Sequence, residues 1–453
     1  MTSDAAGSAA SEGPWHDGHR GTPPPRGLAA LLNSADFARA YTLTVFAALV
    51  GAHLISRLAG VVTLRTVIAG LCVVGIGILV VRRAEVSLLR LVPTTLVLLV
   101  VWAFASIFWS TDPFGSFARW TAMLAVAFLA VTIGHIRDTL QTVRALGDVL
   151  RGALSLSLAL EVLSGVIIDT PLRFLGIQGN LAHFGPVQGI FGTRNTLGFI
   201  AVVAIITFAV ELRAHSVRPG LSVFSLALAT ALALLSASPT VLVLAVVVGV
   251  ATGALALVRS VRPERRVRVQ WTLAAVVGVV GVVLYTQRGR IIDALGATDD
   301  LSMRANLWAL ARYFAGRQPV QGWGWFGSWD VAEQPFATIN QLLGQHHSTA
   351  LNAYVDIQLQ LGWAGLLLLC ALGGMALVRS WLDASQRRSV VYAWTPLMLI
   401  ALAVTSAFES VALFGVGWLL LVVCAVRAGQ SRGWRERLGA QAPIGAVPAL
   451  PPG

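Results

Sequence analysis

The chain has 453 residues, of which 56% are hydrophobic and only 12% charged, and its mean hydropathy is +0.75. That balance excludes an ordinary soluble globular domain. The net charge of +12 is carried by arginine alone, for none of the 33 basic residues is lysine. Arginines that flank apolar runs set orientation and meet lipid headgroups, so the basic excess is no sign of nucleic acid.

Residues 1–37 are polar and rich in Gly, Pro, Ser and Ala. They lack a basic stretch followed by a short apolar one, and so read as a disordered cytoplasmic tail rather than a signal peptide. About twelve apolar runs follow, at 41–60, 64–81, 91–109, 117–134, 149–168, 196–212, 221–236, 240–258, 270–286, 350–378, 390–407 and 411–426. Runs of about 18 or more apolar residues cross the hydrocarbon core as helices, which satisfy their own backbone hydrogen bonds. The expected fold is therefore all-α and integral to the membrane. Spans one to nine occupy 38–286, a large outer loop 287–349, spans ten to twelve 350–427, and a second cytoplasmic tail 428–453. Cys72, Cys370 and Cys424 all fall inside apolar runs and read as buried thiols, with neither a disulfide framework nor a metal site.

Arginine distribution sets the expected orientation. With the N-terminus in the cytoplasm, the inner connections hold Arg82 and Arg83, Arg137 and Arg144, Arg213 and Arg218, Arg259 to Arg268, and Arg387 and Arg388. Short outer connections hold little, which predicts an N-in, C-in chain with an even number of spans. Two outer segments break the pattern. One, at 169–195, carries Arg173, His183 and Arg194; the other is the large loop, with Arg288, Arg290, Arg304, Arg312, Arg317, His346 and His347. Arginine has no topological reason to sit there, so it either pairs with acids or binds an anionic substrate at the membrane face.

Four stretches are specific as a set. The first is Ala105-Ser-Ile-Phe-Trp-Ser-Thr-Asp-Pro-Phe-Gly-Ser-Phe-Ala-Arg-Trp120. The second is Gly189-Ile-Phe-Gly-Thr-Arg-Asn-Thr-Leu-Gly198. The third begins Arg304-Ala-Asn-Leu-Trp308 and continues to Pro319-Val-Gln-Gly-Trp-Gly-Trp-Phe326. The fourth is His346-His-Ser-Thr-Ala-Leu-Asn352, followed by Leu361-Gly-Trp-Ala-Gly365. In this order, over 91–421, the chain resembles the O-antigen ligase/polymerase family. The resemblance implies a metal-independent, membrane-embedded glycosyltransferase fold of the GT-C kind, without a cofactor. It also implies a polyprenyl-diphosphate-linked oligosaccharide donor, a glycan or lipid acceptor, and reaction on the outer face of the bacterial inner membrane. The family's donor-phosphate arginines map to Arg194 and Arg304, and its catalytic histidine to the fourth stretch. Two positions depart from the family pattern. Leu351 stands where a histidine usually precedes Asn352, with His347 four residues earlier, and Arg194 lies inside the Gly-x-Phe-Gly element rather than before it.

The residue types suit that chemistry. Guanidinium groups match diphosphate oxygens with a planar fork of donors, and Arg194 and Arg304 are the first candidates, with Arg288 and Arg312 behind them. A histidine can take the acceptor proton near neutral pH; His347 is the first choice and His346 the second. Trp308, Trp323, Trp325 and Trp329 offer faces for sugar rings, and Asn352 and Asp356, on the face below the histidines, are candidate acceptor or sugar contacts with them. Blander roles stand beside these. Arg304 could pair with Asp300, Arg194 could snorkel at a span end, and the tryptophans could anchor at the headgroup level. The rival class is a transporter or flippase of lipid-linked glycans, which would hold its polar residues at broken helices near mid-membrane.

Overall fold

The computed structural model describes residues 27–83, 92–183, 185–286 and 298–430. The 1–26 and 431–453 parts of the expected tails, and Arg288 and Arg290 in the large loop, lie outside the described residues. Those described are helical, with turns and one isolated bridge between Leu172 and Ile177. The helices are α1 (Leu28–Asn33), α2 (Ala35–Val50), α3 (Ala52–Val81), α4 (Thr94–Ala105), α5 (Pro113–Ile136), α6 (Thr139–Val162), α7 (Arg194–Arg213) and α8 (Pro219–Leu235). There follow α9 (Pro239–Ser260), α10 (Pro263–Thr286), α11 (Thr298–Ala315), α12 (Phe336–Leu343), α13 (Ala353–Gln386), α14 (Trp394–Ser406) and α15 (Gly415–Gln430). Seven stretches are long and apolar enough to cross a membrane, and four apolar helices are shorter. This is the make-up of an all-α, multi-pass membrane protein.

Most helix starts are written locally. Asp112 accepts from the Gly115 amide ahead of Pro113, Thr193 accepts from Thr196, and Asp138 forms a capping box with Gln141. The first two spans are drawn differently from the expectation. The chain turns at Gly51 rather than running helically through 41–60, and it breaks again at Gly60 (φ 86°). Beyond that break α3 returns alongside α2, where the Tyr41 hydroxyl donates to the Leu71 carbonyl at 3.2 Å. Gly60 reaches a positive φ at no steric cost, which places the break there.

The apolar core runs through α2, α5, α6, α7, α13, α14 and α15, with Trp394, Trp418, Phe199 and Phe208 fully buried. In contrast, α10 turns Val276, Val277, Val279 and Val280 outward, as a helix does when lipid and not protein is its neighbour. The large loop is not irregular. It contains α11 and α12, and Leu307, Ala311, Ala315, Phe326, Trp329, Phe336 and Ile339 form a second small core.

Helix ends sort into two poles. At one, Arg259 and Arg266 donate to the Ala384 and Ser385 carbonyls at the end of α13, and Gln430 donates to Gly134 at the end of α5. At the other, the large loop lies over the C-terminal end of α4 and the N-terminal ends of α5 and α13. Arg119 pairs with Asp330 at 2.8 Å there.

Candidate functional site

The loop pole is organised by a break in α13. Gly362 has φ 66° and ψ −165°, which interrupts the helix and frees three successive carbonyls. Each finds a donor from elsewhere. Leu359 accepts from the Trp323 amide (3.1 Å), Gln360 from the Gly324 amide (2.8 Å) and Leu361 from the Trp102 indole (3.0 Å). On the far side of the break the Trp363 amide donates to Pro319 at 2.8 Å. Irregular backbone within a span is tolerated where protein satisfies it, and here the loop does so. The third and fourth sequence stretches are thus one hydrogen-bonded unit. The first joins them, because Ser106 Oγ accepts from the Trp325 amide at 2.9 Å.

Below the break lies a buried polar chain. Asp356 is 0% exposed. Its Oδ1 accepts from the Trp329 indole (2.7 Å) and Gln360 Nε2 (2.8 Å), and its Oδ2 from the Ser410 hydroxyl (2.7 Å) and the Ala350 amide (3.3 Å). Gln360 Oε1 in turn accepts from the Phe326 and Gly327 amides, both at 2.8 Å. A carboxylate away from water costs several kcal/mol unless such donors surround it. These bonds lock the loop onto α13 and the end of α14.

Beside this chain sit the predicted cation and base. Arg304, on α11, is 6% exposed. One guanidinium nitrogen donates to the Phe408 carbonyl at 2.6 Å and the other stands 3.6 Å from Glu409 Oε1. Glu409 Oε1 also accepts from Asn195 Nδ2 at 2.7 Å. The residue next to Arg194 therefore shares a carboxylate with Arg304, and the second stretch is drawn to the same pole. His347 is clamped by Asn340, whose side chain accepts from the His347 amide (2.9 Å) and donates to its carbonyl (3.1 Å). Its ring Nε2 is buried and has no hydrogen-bond partner. Burial pushes the imidazole below its ordinary range, and the positive charge of Arg304 pushes it the same way.

The structure places the predicted residues unevenly. Arg304 lies close enough to His347 for its charge to act on the ring. Arg194 is exposed at the start of α7, and Arg312 is exposed two turns along α11 from Arg304. His346 is exposed as well. Four expectations are corrected. Asp356 is enclosed by four protein donors, so it positions the loop and cannot meet a sugar. Asn352 caps α13 through the Tyr354 and Val355 amides and gives Nδ2 to the Ala407 carbonyl, so its side chain is committed to the helix start. Trp325 is 2% exposed in the main apolar core, and Trp329 is buried in the loop core. Trp308 and Trp323 are partly exposed, with indole N–H groups given to Ala350 and Phe314.

Glu161 Oε1 accepts from the Gln188 and Gly189 amides and so holds the 169–195 segment to α6. Sequence reasoning assigned no role to Asn195, Gln360 or Ser410. A signal existed: Gln360 lies between Leu359 and Leu361, and polar groups at membrane depth are costly unless paired.

Three cavities stand out among the described residues. One of about 610 Å³ lies at the opposite pole beside Arg387 and Arg427, one of about 170 Å³ lies beside Arg39, Arg137 and Arg144, and one of about 220 Å³ is an apolar groove between α13 and α14. None of these three is lined by Arg194, Arg304 or His347. No family model matches the chain, and no curated protein matches it. Chemically, the pole offers a buried guanidinium held by an exchangeable carboxylate beside an imidazole nitrogen with a free lone pair or proton.

Proposed function

We propose that this protein is a membrane glycosyltransferase of the O-antigen ligase/polymerase kind. It transfers a glycan from a polyprenyl diphosphate to an acceptor hydroxyl on the outer face of the bacterial inner membrane. The observation that carries the reading is that Arg304 stands within electrostatic reach of the His347 ring at the loop pole. Arg304 exchanges Glu409 for the diphosphate oxygens and stabilises charge as the leaving group departs; one such preorganised donor is worth about 3 kcal/mol. His347 Nε2 takes the acceptor proton, since it has no hydrogen-bond partner in the folded chain whereas Glu409 Oε1 still accepts from Asn195 Nδ2 after the exchange. Direct displacement inverts the anomeric centre.

The topology in this reading has twelve spans with both termini in the cytoplasm. Its support is the division of the turns between the poles: those rich in arginine gather at one, and the loop with its tryptophans at the other. Reconstitution with a lipid-linked oligosaccharide and candidate acceptors tests the assignment. Wild type releases lipid diphosphate, Arg304→Ala does not, and His347→Ala loses transfer while His346→Ala keeps it. Full turnover by Arg304→Ala and His347→Ala removes the proposal.

A second reading, a flippase for lipid-linked glycans, draws on the break at Gly362, since transporters build sites at interrupted helices. The carbonyls freed at this break already have protein donors, which favours the enzyme. Glycan crossing liposomes without bond formation would reverse that judgement.

A further inference from the structure

At the pole opposite the loop, four arginines from different helices crowd together. Arg39 lies in α2, Arg82 follows α3, Arg137 follows α5, and Arg144 lies in α6. Arg39, Arg137, Gln141 and Arg144 line a cavity of about 170 Å³. Arg82 and Arg137 each give one terminal nitrogen to a carbonyl at the junction of α1 and α2, Asn33 at 2.8 Å and Ala35 at 3.3 Å. The Nε of both is buried without a hydrogen-bond partner. Burial and the charges of Arg39, Arg144 and Arg82 lower the pKa of Arg137, against the raising effect of Asp138.

Asp138 and Asp148, the acids that act on the group, each have another partner. Asp138 Oδ1 caps α6 through the Gln141 amide, and Asp148 is shared between Arg39 (3.4 Å) and Arg151 (2.9 Å). Buried donors on a charged group cost more than neutral ones when unmatched, and like charges add repulsion. An anion with several acceptor oxygens removes both costs.

We propose that this cluster binds the phosphate of an anionic phospholipid headgroup. The cavity is below the ~300–1,000 Å³ of sites that enclose a whole small molecule, so it suits a headgroup whose remainder lies outside. The outward face of α3 supplies the place for that remainder. Val73, Ile76 and Val80 are exposed at helical spacing on the outward face of α3, the helix that ends at Arg82, and make an apolar track for acyl chains at this pole. A free phosphate would have no use for such a track. The inference is independent of the transferase reading.

The test uses the purified full-length chain in detergent, with thermal unfolding and native mass spectrometry. The probes are phosphatidylglycerol, phosphatidylcholine and inorganic phosphate. Phosphatidylglycerol is expected to bind the wild type at least about tenfold more tightly than phosphatidylcholine and to raise its Tm, while inorganic phosphate leaves Tm unchanged. The preference is expected to vanish in Arg137→Gln/Arg144→Gln and to survive in Arg262→Gln/Arg265→Gln, which removes equal charge from an exposed turn. If the first pair fails to fold, Arg39→Gln/Arg144→Gln, with exposed side chains, serves in its place. Equal lipid preference in both charge-matched pairs overturns the proposal. Stabilisation by inorganic phosphate alone overturns the lipid assignment.

Discussion

Gly322 and Gly362 meet backbone to backbone where the loop crosses the break in α13. A Cβ on Gly362 would lie 2.1 Å from the Val320 carbonyl oxygen, and one on Gly322 would lie 2.4 Å from the Gln360 carbonyl carbon and oxygen. Both residues have positive φ, at 66° and 69°. Glycine is required twice over, by conformation and by contact. Gly362→Ala and Gly322→Ala are each expected to cost at least 1–3 kcal/mol and to lower Tm in detergent. Gly374→Ala, on the same helix with nothing within 4 Å of the added carbon, is expected to leave Tm unchanged or slightly raised. Equal melting of all three variants would contradict the docking.

The Asp356 carboxylate is the next test of that docking. Asp356→Ala orphans the Trp329 indole, the Ser410 hydroxyl and the Ala350 amide together, and about 3–5 kcal/mol of stability should go with them. Asp356→Asn keeps the shape but turns an NH₂ toward a donor, at a cost of about 1–3 kcal/mol. Limited proteolysis should cut both variants between α11 and α13 before the spans unfold. An unchanged cleavage pattern would mean that the polar chain does not hold the loop.

Glu409 competes with any anion for Arg304. Glu409→Gln preserves an acceptor for Asn195 but removes the charge opposite the guanidinium. Its affinity for a polyprenyl diphosphate should rise about tenfold, whereas Arg304→Ala should lose measurable binding. Isothermal titration in detergent reads both. Weaker binding by Glu409→Gln would assign the carboxylate a direct role with the ligand.

His347 carries a pH signature. Its folded pKa is below the ordinary value of 6.5, from burial first and Arg304 second. The neutral ring is the form able to accept a proton, so transfer should rise with pH through a midpoint under 6.5 and be flat above it. The same shift favours the folded state at higher pH. That contribution is full above 6.5 and is lost as pH falls toward the folded pKa. Removing Arg304 abolishes the smaller cause only, so a ring titration by NMR in Arg304→Gln should move part-way back upward. A midpoint unaffected by Arg304→Gln would separate the two residues.

Much of this protein was legible in the chain because partitioning between lipid and water acts on each residue whatever its partners. Apolar runs, arginine-bearing turns, the Asp112-Pro113 helix start and the membership of the loop in one segment all follow from local composition. The pole at which the four stretches meet did not. The Trp102 indole bonds to Leu361 across 259 positions, and Arg304 reaches Glu409 from another helix. Asp356 and Trp325 looked like ligand contacts because residue type was all that could be read. Packing decided otherwise, enclosing one in protein donors and the other in apolar side chains. Which polar group is satisfied, and which is left with a free valence as His347 Nε2 is, depends on the distances between distant segments, and only the folded chain sets those.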